Sequence, residues 1–297
     1  MQFTFSVIIP LFNKAESICA TIQSVLAQDT RAQEILVVDD GSTDGGGSLV
    51  CATFGSAITV VRQPNRGVSA ARNRGILQAR SEYLAFLDAD DLWDQDFLTT
   101  VCDLMANYPE ARVFGTRYRY ETAGGTRIRP MRTVGGYLDY FGTEKVFCAS
   151  SVVVARECFA QAGMFDETLN RGEDLDMWER LAIRFRIAVT DAVVATYRVS
   201  AENRVCTKPP DLNRTYMYRR QTIRTIRDPG RRQYLERLAR GRAVDVWRAQ
   251  GLRGYWAYVT KHFGTRRACL LLLRHAVQGD IRRRALFGWP RRPSSLP

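Results

Sequence analysis

Short apolar runs alternate with amphipathic stretches along the first hundred residues. "FSVIIPLF" (residues 5–12) is β-rich and closed by Pro10, which predicts a buried strand. "ESICATIQSVLAQ" places Ile18, Ile22, Val25 and Leu26 at helical spacing and predicts a helix. "EILVVDDGSTDGGGS" is a second strand, broken at Asp39-Asp40-Gly41 and followed by a Ser42/Thr43/Asp44 capping cluster and a weak helix. "AITVVRQP" is a third strand, and "GVSAARNRGILQA" a helix that packs through small residues. "YLAFLDADD" is a fourth strand, with a helix over "QDFLTTVCDLMAN".

Strands that alternate with single helices indicate an α/β fold with a mainly parallel sheet. Gly/Asx-rich breaks follow strands one, two and four. Ligands of open α/β sheets bind outside the carboxyl ends of strands, so "PLFN", "DDGSTD" and "DADD" are expected at one crevice. After Pro109, aromatic and Arg alternation with Gly-Gly breaks predicts hairpins and long loops, a place for a substrate-selecting surface. "RGEDLDMWERLAIRF" puts Leu175, Trp178, Leu181, Ala182 and Phe185 on one helical face, with Gly172 and Glu173 at its start. "AVVATYRV" is a closing strand. From about Asp211 the chain turns helical and Arg-rich, and the final "PRRPSSLP" reads as disordered. The expected organisation is residues 1–210 as a catalytic domain and 211–297 as a basic, mainly helical extension.

Charge sharpens that division. The net charge is +12, but residues 1–210 hold 22 Lys+Arg against 26 Asp+Glu, whereas 211–297 hold 21 against 5. The basic character belongs to the last third, which predicts an appendage that meets an anionic surface. Seven scattered cysteines without a Cys-x-x-Cys pair read as free thiols in a reducing cytosol and not as a zinc site. No cleavage signal is evident, and no apolar run reaches the roughly 20 residues of a spanning helix. A cytoplasmic protein is expected, peripheral on the inner face of the cell membrane if the tail anchors it. The two histidines, His262 and His275, both lie in the basic tail. Ser-His-Asp or Cys-His chemistry in the first 210 residues is thereby excluded, so reactions there must use carboxylates, Lys/Arg, hydroxyls and backbone amides.

Four stretches carry candidate chemistry. Asp88 and Asp90, two apart at a strand end, would share a face if extended, and paired carboxylates suit Mg²⁺ or Mn²⁺. Taken alone, a D-x-D is more often a capped turn, with Asp91 as the helix cap. Asp39 and Asp40 directly after a strand can accept from a ribose or base, or form an Asx turn. Arg72, with Arg66 and Arg74 near it, suits phosphate or base recognition, or is solvated helix charge. Glu173, Asp174 and Asp176 crowd one helical turn. Their mutual repulsion would raise at least one pKa and suit a general base, while the helix N-terminus stabilises the anions. Sequence does not decide between these two effects. No GxGxxG or GxxxxGK[ST] occurs, so neither a nicotinamide site nor a P-loop is supported.

Together, "SVIIPLFNKAESICATIQSVLAQ", "EILVVDDGSTD", "NRGVSAARNRGI", "YLAFLDADDLW" and "FDETLNRGEDLDMWERL" resemble the inverting family-2 nucleotide-sugar glycosyltransferases, which have the GT-A fold. The resemblance covers roughly residues 5–205. It implies a GT-A (Rossmann-like) α/β fold, a mixed, mainly parallel sheet flanked by helices. It implies that Pro10, Asp39 and Asp40 line a nucleoside pocket and that Arg72 holds the base or diphosphate. Asp88 would approach the ribose and the metal, and Asp90 would bind Mn²⁺ or Mg²⁺. Asp174 would deprotonate the acceptor hydroxyl, with Glu173 and Asp176 on the acceptor side. The implied partners are a nucleotide-sugar donor, with UDP-sugar the commonest type, and a glycan or lipid-linked acceptor of surface polysaccharide synthesis. Two departures stand out. Ser200 replaces a His that many relatives carry after the closing strand, which would weaken metal binding. Three glycines follow Asp44 where relatives usually have larger residues, which would make that loop mobile.

The tail lies outside the resemblance. Its basic, aromatic-bearing helices predict docking on an anionic membrane or packing on the catalytic domain, and no nucleic-acid motif is present. Two other functions are carried as alternatives: a metal-dependent nucleotidyltransferase, and a non-catalytic membrane or nucleic-acid adaptor.

Overall fold

The structure, a computed structural model, describes residues 3–122, 124–128, 133–134, 136–142, 147–203, 211–219 and 222–277. The expectations for Cys206, Pro210 and "PRRPSSLP" lie outside the described residues. Two compact units divide the chain, Met1–Arg219 and Arg220–Pro297.

The first unit begins with β1 (Phe5–Leu11), α1 (Ile18–Leu26), β2 (Glu34–Asp39), α2 (Gly46–Phe54), β3 (Thr59–Arg62), α3 (Val68–Gln78) and β4 (Tyr83–Phe86). A two-residue strand β5 (Leu92–Trp93), helix α4 (Phe97–Asn107) and the hairpin β6 (Val113–Thr122)–β7 (Gly125–Ile128) follow. The unit is completed by β8 (Thr133–Val134), β9 (Tyr137–Leu138), β10 (Val152–Ala155), α5 (Cys158–Ala162), α6 (Glu173–Arg184), β11 (Ile187–Arg198) and a short α7 (Tyr216–Arg219).

One sheet runs β3-β2-β1-β4-β10-β6-β11-β9-β8, with β5 added to β11 and β7 to β6. The first four strands are parallel, as alternation with helices predicts; β10 enters antiparallel between β4 and β6 and makes the sheet mixed. The chain builds outward from β1 through β2 to β3, then returns to the other side of β1 with β4. The loops after β1 and β4 therefore diverge at a topological switch point, where such sheets open a ligand crevice. Pro10 fits β1 for a related reason. Ile8 accepts from the Leu87 N–H, so residues 8 and 10 face β4, whose pairing ends at Phe86. The missing N–H of Pro10 thus forfeits no ladder bond.

Ile18, Thr21, Ile22 and Val25 are the buried face of α1; Leu26, one step beyond that stripe, is 44% exposed instead of buried. Helix α3 lies closely on β1, since a Cβ on Gly75 would stand 2.4 Å from Ile8 Cγ2. Helix α6 buries Leu175, Met177, Trp178 and Leu181. It ends at Arg184, and Phe185 is already extended, outside the helical face expected for it.

In the second unit Asp228 accepts from the Arg231 N–H and caps α8 (Pro229–Phe263), which is kinked at Gly251; α9 (Thr265–Val277) follows. Buried Glu236 pairs with Arg232, Arg240 and Arg267. Among the described residues, no helix is long and apolar enough to cross a membrane.

Candidate active site

The acidic stretch after β4 is a turn and not an extended strand end: the Asp91 N–H donates to the Asp88 carbonyl at 3.0 Å. This is the turn weighed for an isolated D-x-D, and the condition of an extended strand end, under which Asp88 and Asp90 would share a face, is not met. Each of the three acids has a partner. Asp88 accepts from Arg72 Nη2 at 2.7 Å, and Asp90 Oδ2 accepts from Lys14 Nζ at 2.7 Å. Asp91 is fully buried and takes the Ser150 hydroxyl at 2.5 Å and the Arg198 N–H at 3.0 Å. It does not cap α4, whose N-cap is Asp96; it ties β4, β10 and β11 together. Burial, reinforced by the charges of Asp88 and Asp90, pushes the Asp91 carboxyl well above the usual carboxylate range.

Arg72 is the second element of the site. It is 2% exposed, unlike its exposed neighbour Arg74, because the small-residue face of α3 is turned to the sheet. Its Nη1 donates to Glu173 Oε1 at 2.9 Å while Nη2 holds Asp88, and its guanidinium lies 5.4 Å from the Phe165 ring centroid. Burial opposes its charge, but Asp88 and Glu173 outweigh that and hold the guanidinium more firmly protonated than usual. The adjacent Asn73 exchanges two hydrogen bonds with the Phe165 backbone, each 2.9 Å, which fixes the segment leading to α6.

At the start of α6, Gly172 takes a left-handed conformation and Glu173 turns inward. The competition between crowding and helix dipole left open by the sequence resolves by burial. Glu173 carries the raised pKa, first through desolvation and then through the Asp174 charge, with Arg72 opposing. Asp174 is half-buried, accepts from the Leu175 N–H at 2.8 Å, and has no ion pair among the described residues. Asp176 is engaged elsewhere: it pairs with Arg180 at 2.8 Å, which also donates to the Ala162 and Met164 carbonyls.

The end of β2 forms a separate cluster. Asp40 accepts from Gln63 Nε2 and from the Arg66 and Gly67 N–H groups at 2.8–2.9 Å, so it anchors the approach to α3. Asp39 accepts from the Ser42 N–H at 2.9 Å and lies against α2, where a Cβ on Gly47 would stand 2.0 Å from its Oδ2. Gly46 and Gly47 thus open α2, and Gly47 admits Asp39. A cleft of about 420 Å³ lies there, lined by Asp39, Ser42, Gly47 and Gln63 among others. Asn13 links this end to β1: it accepts from the Thr43 N–H at 2.8 Å, and its own N–H donates to Ser42 Oγ. Lys14, next in the chain, makes the corresponding link from β1 to β4 through Asp90. Ser200 is exposed beyond β11.

The acids after β4 offer only oxygen donors. Among the described residues, no group of three or more His, Cys, Asp or Glu is arranged to hold a metal, and six described cysteines are free. Two carboxylates fit Mg²⁺ or Mn²⁺, which keep water or phosphate oxygens as their remaining ligands.

The sequence profile described as "Glycosyl transferase family 2" matches residues 6–168. The chain belongs to glycosyl transferase family 2. A curated relative, the amylovoran biosynthesis glycosyltransferase AmsB of Erwinia amylovora, is 28% identical over 213 residues, 67% of this chain and 70% of that protein. The chain spans about a fifth to a half of the length of other curated relatives it matches. Residues 1–349 of Staphylococcus aureus TarS, solved with UDP-GlcNAc, superpose with a TM-score of 0.70 at 20% identity, covering 94% of this chain and 88% of that one. The mannosyltransferase PcManGT of Pyrobaculum calidifontis, solved with GDP-Man and Mn²⁺, gives a TM-score of 0.59 at 20% identity, covering 94% and 81%. The likeness is one of fold: the family-2 chain has the GT-A sheet flanked by helices and a helical C-terminal region.

Two residues of this family-2 site were missed by sequence reasoning. Lys14 carried a usable signal, a basic residue in the loop after β1. Ser150 carried none. It lies far along the chain, yet its hydroxyl accepts the Asp88 N–H and donates to Asp91, and its carbonyl accepts from Trp93 Nε1.

Proposed function

We propose that the chain transfers a sugar, with inversion, from a nucleotide-sugar donor to a hydroxyl of a glycan or lipid-linked acceptor in bacterial-type surface polysaccharide synthesis. The observation that carries this reading is the Arg72 bridge. One buried guanidinium ties the carboxylate turn after β4 to the first residue of α6. Acids suited to donor binding and an acid suited to accepting a proton are thereby held at one place.

In this reading Asp90 and Asp88 hold Mn²⁺ or Mg²⁺, which when bound neutralises charge on the departing diphosphate. Pro10, Asp39 and Asp40 border the nucleoside, with Asp40 fixing the loop that carries the start of α3. Arg72 keeps a permanent positive charge beside the donor and orients Asp88 and Glu173. Asp174, which has no ion pair among the described residues, accepts the proton of the acceptor hydroxyl. The freed oxygen forms a bond to the anomeric carbon as the bond to the diphosphate breaks on the opposite face, and the nucleoside diphosphate leaves. Glu173 and Asp176 shape the acceptor side, Asp176 through its hold on Arg180. A UDP-sugar is the favoured donor, supported by the fold likeness to TarS, and the glycan acceptor is supported by the relation to AmsB.

The second unit is proposed to rest on an anionic membrane surface. Leu252 is 55% exposed at the kink of α8, beside exposed Arg253, and Leu270 is 64% exposed on α9 near exposed Arg266 and Arg267. Exposed apolar groups among arginines suit a lipid interface.

A thermal-shift screen of nucleoside diphosphates and nucleotide sugars, with and without Mn²⁺, tests the donor assignment. The expected result is a rise in Tm for uridine compounds that depends on Mn²⁺ and is lost in Asp90→Ala. Stabilisation by no nucleotide would contradict it.

A further inference from the structure

Lys14 has no part in the reading given so far, yet it occupies the crevice at the β1/β4 switch point. Its Nζ donates to Asp90 Oδ2 at 2.7 Å, and both side chains are 11% exposed. It also donates to the Glu202 carbonyl, on the segment after β11. That segment is itself fastened to the loop after β1. The Glu202 carboxylate takes the Ser17 hydroxyl at 2.6 Å and the Ser17 N–H at 3.1 Å, at the start of α1. Asn203 Nδ2 donates to the Phe12 carbonyl at 3.2 Å. Lys14 is therefore a cation set by two neighbouring segments on the carboxylate proposed to hold the metal.

Two cations in contact with one carboxylate oxygen repel each other strongly in a site this sheltered from water. A divalent ion that takes Asp90 Oδ2 must displace the ammonium. Lysine, a point charge on a flexible four-carbon stem with three donors, can leave the carboxylate and still find partners close by. A diphosphate brought against Asp90 with its metal supplies them, because its oxygens outnumber those the ion can neutralise.

We propose that Lys14 is a donor-site residue: its ammonium holds Asp90 in the free protein and moves to the diphosphate oxygens when a divalent cation takes that carboxylate. Metal and nucleotide then bind cooperatively. Metal alone has to displace the ammonium without compensation, whereas metal with diphosphate gives it a new anionic partner. The role in donor binding rests on the proposed function; the competition at Asp90 rests on the ion pair itself.

The test measures Mn²⁺ binding alone by electron paramagnetic resonance, then UDP and GDP binding at saturating Mn²⁺ by calorimetry, in the full chain and in Lys14→Met. Lys14→Gln serves as the second variant if Lys14→Met does not fold, and Lys14→Arg keeps the charge. Lys14→Met is expected to bind Mn²⁺ alone roughly tenfold more tightly and the nucleotide roughly tenfold more weakly, a coupling of ordinary size. Opposite signs in the two arms are the signature; a merely structural lysine would weaken both. Unchanged or weaker Mn²⁺ binding in Lys14→Met would overturn the proposal. Nucleotide binding unchanged by the substitution would overturn the transfer to diphosphate. If the wild-type chain binds neither UDP nor GDP, the donor reading itself fails, and the Mn²⁺ arm still decides whether Lys14 competes at Asp90.

Discussion

Arg72 and Asp91 are buried ionisable groups with opposite consequences. Arg72 neutralises two carboxylates from different parts of the chain, so Arg72→Met would leave Asp88 and Glu173 facing each other without a cation. Removal of one partner from a buried network costs about 3–5 kcal/mol, and chemical denaturation of this variant should show a loss of that order. Asp91 is different because its partners are neutral donors. The folded chain holds its proton more tightly than the unfolded chain does, so its contribution to stability is greatest below about pH 4 and is lost as pH rises toward its raised folded-state value. Asp91→Asn keeps a satisfiable arrangement, accepting from the Arg198 N–H and donating to Ser150 Oγ. That variant should be at least as stable as wild type at pH 8, with a flatter stability profile from about pH 4 upward. Asp174→Asn makes a third contrast: it should abolish transfer while leaving Mn²⁺-dependent nucleotide binding within about twofold of wild type, since the interaction removed acts in the transition state.

Helix α3 shows how an element places a residue. Its small residues let it lie close on β1, and that closeness buries Arg72 at the level of the β4 turn. Alanine at Gly75 would gain about 1 kcal/mol of helix propensity. Its Cβ would meet Ile8, a fully buried side chain of a central strand, and overpacking of that kind costs about 1–3 kcal/mol. Sterics should win, so Gly75→Ala is expected to lower the denaturation midpoint and, by shifting α3, to weaken nucleotide binding as well. The same elements show what was legible in the sequence. Strands β1, β2 and β4 were readable because they are buried on both faces and so form continuous apolar runs; α1, α4 and α6 were readable because each buries one face at helical period, and α3 through its small residues. The acids were readable as a group because they follow strand ends. Their partners were not: Ser150 on Asp91, Lys14 on Asp90 and Gln63 on Asp40 are set by which loops the topology brings together, and no local pattern encodes that. The turn at Asp88–Asp91 was one of two readings left open, since the apolar run does not mark where β4 leaves the sheet; the cap expected at Asp91 falls instead at Asp96. The Leu26 and Phe185 positions failed at helix ends, where period alone does not say which side faces the core.

At the scale of the whole chain, charge is separated by sequence: residues 1–210 carry a balance of −4 and residues 211–297 one of +16. In the proposed reading an acidic catalytic region that binds an anionic donor draws its local cations from Arg72 and Lys14, which leaves the positive charge of the last third for another partner. If that partner is an anionic membrane, the full chain should co-sediment with phosphatidylglycerol vesicles and be released by salt. Substitution of Leu252 by Ser with Arg253 and Arg266 by Glu should reduce binding by roughly thirtyfold or more, at about 1 kcal/mol per basic residue lost. Binding unchanged by these substitutions would place the lipid contact elsewhere or remove it.

The central claim, that family-2 donor chemistry runs from Asp90 to Asp174, is tested most directly by identifying the nucleotide released from UDP-sugars in the presence of Mn²⁺, for wild type and Asp174→Asn side by side. The account predicts UDP from the wild-type protein and next to none from the variant. Release of UMP or of pyrophosphate, or undiminished UDP release by Asp174→Asn, would contradict it.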